Sequence, residues 1–188
     1  MILWINIAEG TMEKWDLYDD ARNLTGEVIN RGERIPKDRY HLVVHVCIFN
    51  SKNEMLIQQR QPFKSGWSNM WDLSVGGSAQ AGDTSRRAAE REVFEELGYR
   101  IDLSQARPVM TIPFPVGYDD IYIIDQDINM DELILQPEEV QQVKWASCDE
   151  IIKMIEEETF IPYHTCLIKL LFDIRKTRDA HSNFKKQK

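Results

Sequence analysis

Residues 77–99, which read GSAQAGDTSRRAAEREVFEELGY, decide the fold of this chain. Within this stretch Ala89, Val93 and Leu97 recur at every fourth position. That period predicts a helix over residues 84–97 whose apolar stripe faces the core. The helix is therefore amphipathic, and its polar face is free to carry chemistry.

The polar face of this predicted helix carries three carboxylates, Glu92, Glu95 and Glu96. At the spacing i, i+3, i+4 they share one face, where like charges repel and cost helix stability. Clustered carboxylate oxygens are the ligands that Mg²⁺ or Mn²⁺ requires, and such ions bridge phosphate oxygens and activate water. Arg91 can fix a carboxylate rotamer, and the carbonyl of Gly77 can reach the same metal. Three Glu alone more often form a solvated face, but their spacing relative to Arg91 and the flanking glycines favours a metal site.

Around this helix the chain alternates short strands with turns. Strand patterns, which are β-branched and aromatic runs bounded by turn residues, occur at residues 15–18, 27–30, 41–49, 54–60, 71–75, 109–114, 120–128 and 140–146. Gly76 and Gly77 are expected to stop the strand that begins at Trp71. This order predicts an α+β fold in a single domain, residues 12–180, with a mixed central sheet and helices packed on it.

Capping signals bound the predicted helices. Thr84 or Asp83 can cap the first helix, and Gly98 can end it in the left-handed conformation. Ser147 begins a capping sequence for a second helix. Pro162 is expected to open the last helix. The apolar side of that helix is expected to consist of Leu167, Leu170, Leu171 and Ile174.

Composition restricts the class of protein. The 188 residues are 43% hydrophobic and 29% charged, which suits one soluble domain. The net charge of −8 disfavours binding to a nucleic-acid polymer, although bound cations can still bring in a phosphate substrate. No apolar run approaches the roughly 20 residues of a membrane span. Three cysteines without a CxxC pair argue for a cytoplasmic location.

Residues 1–11 are interpreted as an upstream or vector extension, and residues 181–188 as a disordered basic tail.

The pattern from Gly77 onward resembles the Nudix box, whose consensus is G-x5-E-x7-R-E-U-x-E-E-x-G-U, with U an aliphatic residue. The matching residues are Gly77, Arg91, Glu92, Val93, Glu95, Glu96 and Gly98. Two positions depart from the consensus, because Asp83 stands in place of the first Glu and Tyr99 in place of the last aliphatic residue. The resemblance covers roughly residues 38–160 and implies the α/β/α sandwich of this family.

This resemblance implies a hydrolase that uses Mg²⁺ or Mn²⁺ to cleave a diphosphate linkage in a small substrate of the nucleoside-diphosphate-X type. It implies a metal site built from Gly77, Glu92, Glu95 and Glu96. It also implies that Arg91 orients a glutamate. The general base is open between Glu92 and Glu139, and an ordinary surface acid is an equal alternative for Glu139. A homodimer follows only by analogy with small members of the family.

Three further residues are candidates for the substrate side. Arg60 ends a strand that points toward the same region and can contact phosphate, although a surface arginine is an equal alternative. Trp67 can stack on a base, but ordinary packing is favoured. Asp83 keeps a carboxylate beside the box, where it either holds a metal through water or only caps the helix.

The segments before the box, YHLVVHVCIFN and WSNMWDLSVGG, are similar to Nudix proteins related to isopentenyl-diphosphate isomerase. That isomerase uses a cysteine just before the box and histidine metal ligands. Here Gly76 falls at the cysteine position and Ser78 at a later histidine, whereas His41 matches one ligand. Hydrolysis is therefore favoured, with an isomerase-like enzyme and a non-catalytic nucleotide sensor as alternatives. His41 and His45 share a strand face, where structural histidines are commoner than ligands.

Overall fold

The computed structural model describes residues 12–181, which form an α/β/α sandwich. The extension proposed for residues 1–11 and all but the first residue of the tail proposed for 181–188 lie outside the described residues. The strands are β1 (Lys14–Tyr18), β2 (Leu24–Asn30), β3 (His41–Phe49), β4 (Met55–Arg60), β5 (Trp71–Asp72), β6 (Val75–Ser78), β7 (Met110–Phe114), β8 (Gly117–Asp125) and β9 (Val140–Ala146). The helices are α1 (Ser85–Leu97), α2 (Cys148–Glu156) and α3 (Thr165–Thr177), with a 3₁₀ turn at Met130–Glu132.

The central sheet is mixed because its long strand β3 pairs in both directions. β3 runs parallel to β8 over its whole length, and antiparallel to β6, where Val44 lies opposite Gly77. β4 extends the sheet antiparallel to β5 and β9, and β7 pairs with the other side of β8. β1 and β2 form a separate two-stranded hairpin. The α+β fold with a mixed central sheet is confirmed.

Side chains alternate along β3, so the two faces of the sheet bury separate cores. Val44 and Val46 pack against α1, whereas Cys47 and Phe49 pack under α2 and α3. All four are at most 1% exposed. At roughly 25 cal/mol per Å² of apolar area, such burial is the main force that holds α1 against β3 and β6. The helix that carries the acidic face is therefore fixed from behind.

The prediction that a strand spans residues 71–75 and stops at Gly76 is wrong. The structure has β5 at Trp71–Asp72 and a new strand, β6, that begins at Val75 and continues through both glycines. Between them the hydroxyl of Ser74 accepts a hydrogen bond from the Ile48 amide at 2.8 Å and donates to the Leu56 carbonyl. The Ser74 hydroxyl thus occupies hydrogen-bonding positions that a backbone amide and carbonyl would otherwise fill, and the strand is interrupted at this residue.

The last helix begins at Thr165, with His164 as its N-cap, and not at Pro162 as predicted. The chain before it is held to the sheet, because the Ile161 amide donates to the Trp71 carbonyl at 2.8 Å. Leu170 is 43% exposed and does not belong to the buried side of α3. A tertiary hydrogen bond therefore overrides the local preference of proline for a first helical turn.

The β1–β2 hairpin docks beside the end of the sheet. The Trp15 ring stacks on the His41 ring, with centroids 4.4 Å apart and planes inclined by 19°. The amide of Gly82 donates to Asp16 at 2.7 Å, which ties the hairpin to the loop before α1. Among residues 12–181, none of the helices combines the length and apolar character that crossing a bilayer would need.

Candidate active site

A cleft of about 350 Å³ lies along the polar face of α1. It is lined by Glu13, Arg31, Arg60, Lys64, Gly76, Gly77, Ser78, Gln80, Arg91, Glu92, Glu95, Glu96, Gln136 and Glu139. A larger groove of about 1230 Å³ runs between residues 100–110 and the end of α3, and no residue of the acidic helix face lines it. Of the two, only the smaller cleft contains the glutamates of α1 together with basic side chains.

The ends of α1 are set by local caps. Thr84 is the N-cap, and its hydroxyl accepts a hydrogen bond from the Arg87 amide at 3.3 Å. Gly98 is left-handed, with φ 64°, and its amide donates to the Phe94 carbonyl. The structure therefore selects Thr84 over Asp83 as the cap. The carboxylate of Asp83 instead pairs with Arg91, at 3.1 Å.

Arg91 holds the acidic face of α1 together. Its Nη1 donates to Glu92 Oε1 and to Glu95 Oε2, both at 2.9 Å, and its Nη2 donates to the Ser78 carbonyl at 3.0 Å. Burial alone would lower the pKa of Arg91, but the charges of Glu92 and Glu95 outweigh it and raise the pKa. Arg91 thus stays charged and contacts both glutamates, and its role in orienting them stays a prediction.

Gly77 lies directly beneath the carboxyl group of Glu92. A Cβ atom at Gly77 would stand 2.1 Å from Glu92 Cδ, so a side chain at this position would have to displace that carboxyl group. Burial raises the pKa of Glu92 to about 7, although the Arg91 charge opposes this. The close approach of β6 to α1 therefore creates a carboxyl group that is poorly hydrated and only partly neutralised.

Glu96 is the most enclosed of the three glutamates, at 4% exposed. Its Oε2 accepts a hydrogen bond from Gln58 Nε2 at 2.9 Å. Burial and then the charge of Glu92 raise the pKa of Glu96 well above its usual range. Gln58 itself is buried, and its Oε1 atom has no hydrogen-bond partner among residues 12–181.

Gln58 was missed by the sequence reasoning. The sequence feature that could have indicated it is a polar residue directly after the apolar run Met-Leu-Ile of β4. In the structure Gln58 is as buried as that run, at 2% exposed. A buried amide in such a strand requires a partner, and that partner is a glutamate of the acidic face.

The residues present fit a hard divalent cation. Among residues 12–181, no three His, Cys, Asp or Glu side chains already stand in a metal-holding arrangement. Glu96 is nevertheless a buried carboxylate whose ionisation the charge of the half-buried Glu92 opposes, and among residues 12–181 its hydrogen-bond donor is a neutral amide. A divalent cation offsets such a cost with oxygen ligation, which is the chemistry that this donor set suits.

Glu139 enters the same cleft from the loop before β9. Lys64 Nζ lies 2.6 Å and 2.7 Å from its two carboxylate oxygens. The charge of Glu139 is one of the smaller causes that raise the pKa of Glu96. The structure thus brings Glu139 together with the box residues, and it adds Lys64 and Arg31, which the sequence reasoning missed.

The structure places the three candidate substrate-binding residues differently relative to the cleft. Arg60 lines the cleft, and its Nε donates to the Gly66 carbonyl at 3.2 Å. Trp67 is 52% exposed and is not among the lining residues. Asp83 also lies outside the lining, behind Arg91. Only Arg60 of these three is placed to meet a ligand in the cleft.

The two β3 histidines have structural partners. His41 stacks on Trp15, and His45 Nδ1 lies 2.8 Å from Asp119 Oδ1. Burial lowers the pKa of His45, but its hydrogen bond and charge interaction with Asp119 outweigh this and raise it. A Cβ atom at Gly76 would lie 2.7 Å from the His45 ring, so the position where the isomerase has its cysteine has no room for a side chain in this arrangement.

Comparisons with known proteins agree on one family. The family model described as NUDIX domain matches residues 39–166. An uncharacterised Nudix hydrolase of Listeria innocua is 45% identical over 170 residues, which cover 90% of this chain and 99% of that protein. The crystal structure of DR0079 from Deinococcus radiodurans matches with a TM-score of 0.67 and 25% identity, over 85% of this chain and 97% of that one. An isopentenyl-diphosphate Delta-isomerase of Pectobacterium atrosepticum is 28% identical over 152 residues, 77% of this chain and 83% of its own.

Proposed function

The chain belongs to the Nudix family, and from this premise we propose that it uses Mg²⁺ or Mn²⁺ to cleave a diphosphate linkage in a substrate of the nucleoside-diphosphate-X type. Membership makes it a Nudix-type hydrolase of pyrophosphate bonds in small molecules, and enzymes of this type generally use divalent metals. We propose both its dependence on Mg²⁺ or Mn²⁺ and its preference for a nucleoside-diphosphate substrate.

The observation that carries the proposal is the pair formed by the half-buried Glu92, which lies against Gly77, and the buried Glu96 on the same helix. Two poorly hydrated carboxylates on one helix cost free energy when ionised, so they do not serve to stabilise the helix. Arg91 neutralises Glu92 and Glu95 but has no contact with Glu96 among the described hydrogen bonds. A role for Glu96 in cation binding accounts for this arrangement.

In the proposed mechanism Glu92, Glu95, Glu96 and the Gly77 carbonyl would hold the metal. When bound, it supplies positive charge to the phosphate oxygens and lowers the pKa of a water. Arg91 keeps Glu92 and Glu95 in fixed rotamers. The water oxygen forms a bond to phosphorus, the bridging P–O bond breaks, and the leaving phosphate keeps the electron pair. Glu139, or alternatively Glu92, accepts the proton from the water.

Two alternatives are less well supported. An isomerase-like activity has a similar relative, but Gly76 supplies no thiol and His45 fills the adjacent space. A nucleotide sensor without catalysis would not need the acidic face, which this chain keeps.

We further propose that residues 12–180 form one domain and that it works in the cytoplasm. The latter rests on the free state of Cys47, Cys148 and Cys166, which suits a reducing compartment.

The test is release of phosphate or pyrophosphate from a panel of nucleotides, nucleotide sugars and dinucleotides with Mg²⁺ or Mn²⁺. Glu96→Gln keeps the shape of the side chain and removes its charge, so we expect kcat to fall on the order of 100-fold or more. Glu156→Gln is the matched control, because Glu156 is exposed on α2 and outside the cleft. If no compound is turned over while the metal still binds, the hydrolase proposal is wrong.

A further inference from the structure

Basic side chains enter the cleft from elements other than α1. Arg31 follows β2, Arg60 is the last residue of β4, and Lys64 lies in the loop after β4. These three residues, here called the basic wall, share the cleft with the α1 carboxylates. The cleft therefore has two chemically different sides, although the chain as a whole carries a net charge of −8.

The basic wall is not used to neutralise the acidic face. Arg31 Nη1 lies 2.6 Å from Glu13 Oε2, and Lys64 Nζ lies 2.6 Å from Glu139 Oε2. Among residues 12–181, none of the three wall cations comes within the 4.0 Å ion-pair distance of an α1 carboxylate.

Arg60 is the least neutralised member of the wall. Its nearest carboxylate oxygen belongs to Asp72, at 3.9 Å, and its Nε is held by the Gly66 carbonyl. Arg60 is therefore the wall cation best placed to bind phosphate oxygens, which a guanidinium takes in a bidentate arrangement. The wall is therefore able to receive an anion while the α1 carboxylates stay free.

The size of the cleft limits what the anion can be attached to. Its volume of about 350 Å³ is near the lower end of the roughly 300–1,000 Å³ of ordinary ligand clefts. A diphosphate with a bulky group on both ends, such as a nucleotide sugar or a dinucleotide, would have to place one group beyond the basic wall. A diphosphate with one organic substituent places only phosphate there.

We propose that the basic wall binds the terminal phosphate of the substrate, so that the preferred substrates are di- or triphosphates with a single organic substituent. This inference rests on the proposed hydrolase function and narrows its substrate class. A terminal phosphate carries about −1.5 to −2 charges near neutral pH, whereas a phosphate esterified on both sides carries one. Three cations, two of them guanidinium forks, complement the higher charge better.

The test compares kcat/KM for nucleoside di- and triphosphates with that for nucleotide sugars and dinucleotides of the same base. We expect the singly substituted compounds to be preferred by about 10-fold or more in the native protein, which corresponds to one charge-assisted contact. Lys64→Gln and Arg60→Gln should remove most of this preference. Lys52→Gln, which makes the same change of charge on an exposed turn, should leave it intact.

A binding measurement separates this inference from the proposed function. Calorimetric titration with ADP, ADP-ribose and inorganic pyrophosphate requires no turnover. Weaker binding of ADP and pyrophosphate in Lys64→Gln, with ADP-ribose little changed, supports the basic wall even if nothing is hydrolysed. Equal losses for all three ligands, or a native preference for doubly substituted diphosphates, would overturn the inference and leave the hydrolase proposal standing.

Discussion

Gly77 is the residue on which the geometry of the site depends most directly. A Cβ atom there would stand 2.1 Å from Glu92 Cδ, so Gly77→Ala must displace the carboxyl group. We expect kcat to fall on the order of 100-fold while the fold is kept. The control is Gly66→Ala, where a Cβ meets nothing within 4 Å. Steady-state kinetics and thermal melting of both variants measure this, and an active Gly77→Ala enzyme would contradict it.

The raised pKa of Glu92 should make the stability of the metal-free protein depend on pH. Burial raises its pKa from 4.5 to about 7, so folding favours the protonated form. That stabilisation is fully present below the unfolded pKa and is lost as the pH rises through the folded value. In chelator we therefore expect the free energy of unfolding to fall by up to about 3 kcal/mol from this group between about pH 5 and about pH 8.

The comparison variant is Glu92→Gln, in which this source of pH dependence is absent. Urea unfolding at both pH values should give a smaller change for Glu92→Gln than for the native protein. Glu96, whose pKa is also raised, leaves a residual slope of the same sign in the variant. Identical slopes for the two proteins would show that Glu92 is not desolvated as described.

At the scale of elements, Tyr163 joins the α2–α3 connection to the sheet. Its hydroxyl donates to Asp72 Oδ1 at 2.9 Å and lies 3.2 Å from His45 Nε2. Tyr163→Phe leaves the buried Asp72 carboxylate with one donor fewer, so we expect a loss of about 1–3 kcal/mol of stability. Chemical denaturation measures this loss.

The matched control for Tyr163 is Tyr99→Phe. Among the hydrogen bonds of residues 12–181, the Tyr99 hydroxyl makes none, so its removal should change the free energy of unfolding by less than about 0.5 kcal/mol. Equal effects of the two substitutions would mean that the Tyr163 contacts to Asp72 and His45 do not stabilise the connection.

At the scale of the whole molecule, the site depends on docking of the β1–β2 hairpin, because Glu13 and Arg31 flank its strands and line the cleft. Trp15→Ala removes the stack on His41 and about 2 kcal/mol of buried contact. We expect KM to rise several-fold, with faster amide exchange in residues 14–30. Leu24→Ala, at a side chain that is 62% exposed, is the control. An unchanged KM despite faster amide exchange would mean that substrate binding does not depend on docking of the hairpin.

The sequence by itself determined the chemistry of α1. The repeat of Ala89, Val93 and Leu97 required a buried stripe, and the i, i+3, i+4 spacing placed the three glutamates next to one another, with Glu96 at the buried edge of that stripe. The mixed sheet also followed from the sequence, because strand and helix patterns differ in period. Periodicity and helix caps depend on residues that are close together in the chain, so they can be recognised from the sequence alone.

Only the tertiary structure decided which residues surround that face. Gln58 lies 38 positions before Glu96, and Lys64 lies 75 positions before Glu139. The start of α3 at Thr165 and the break in the strand at Ser74 likewise depend on hydrogen bonds to distant segments. Such partners are chosen by strand register and by the docking of the hairpin. The energy of each contact exists only after the chain has closed on itself, so no local pattern in the sequence encodes it.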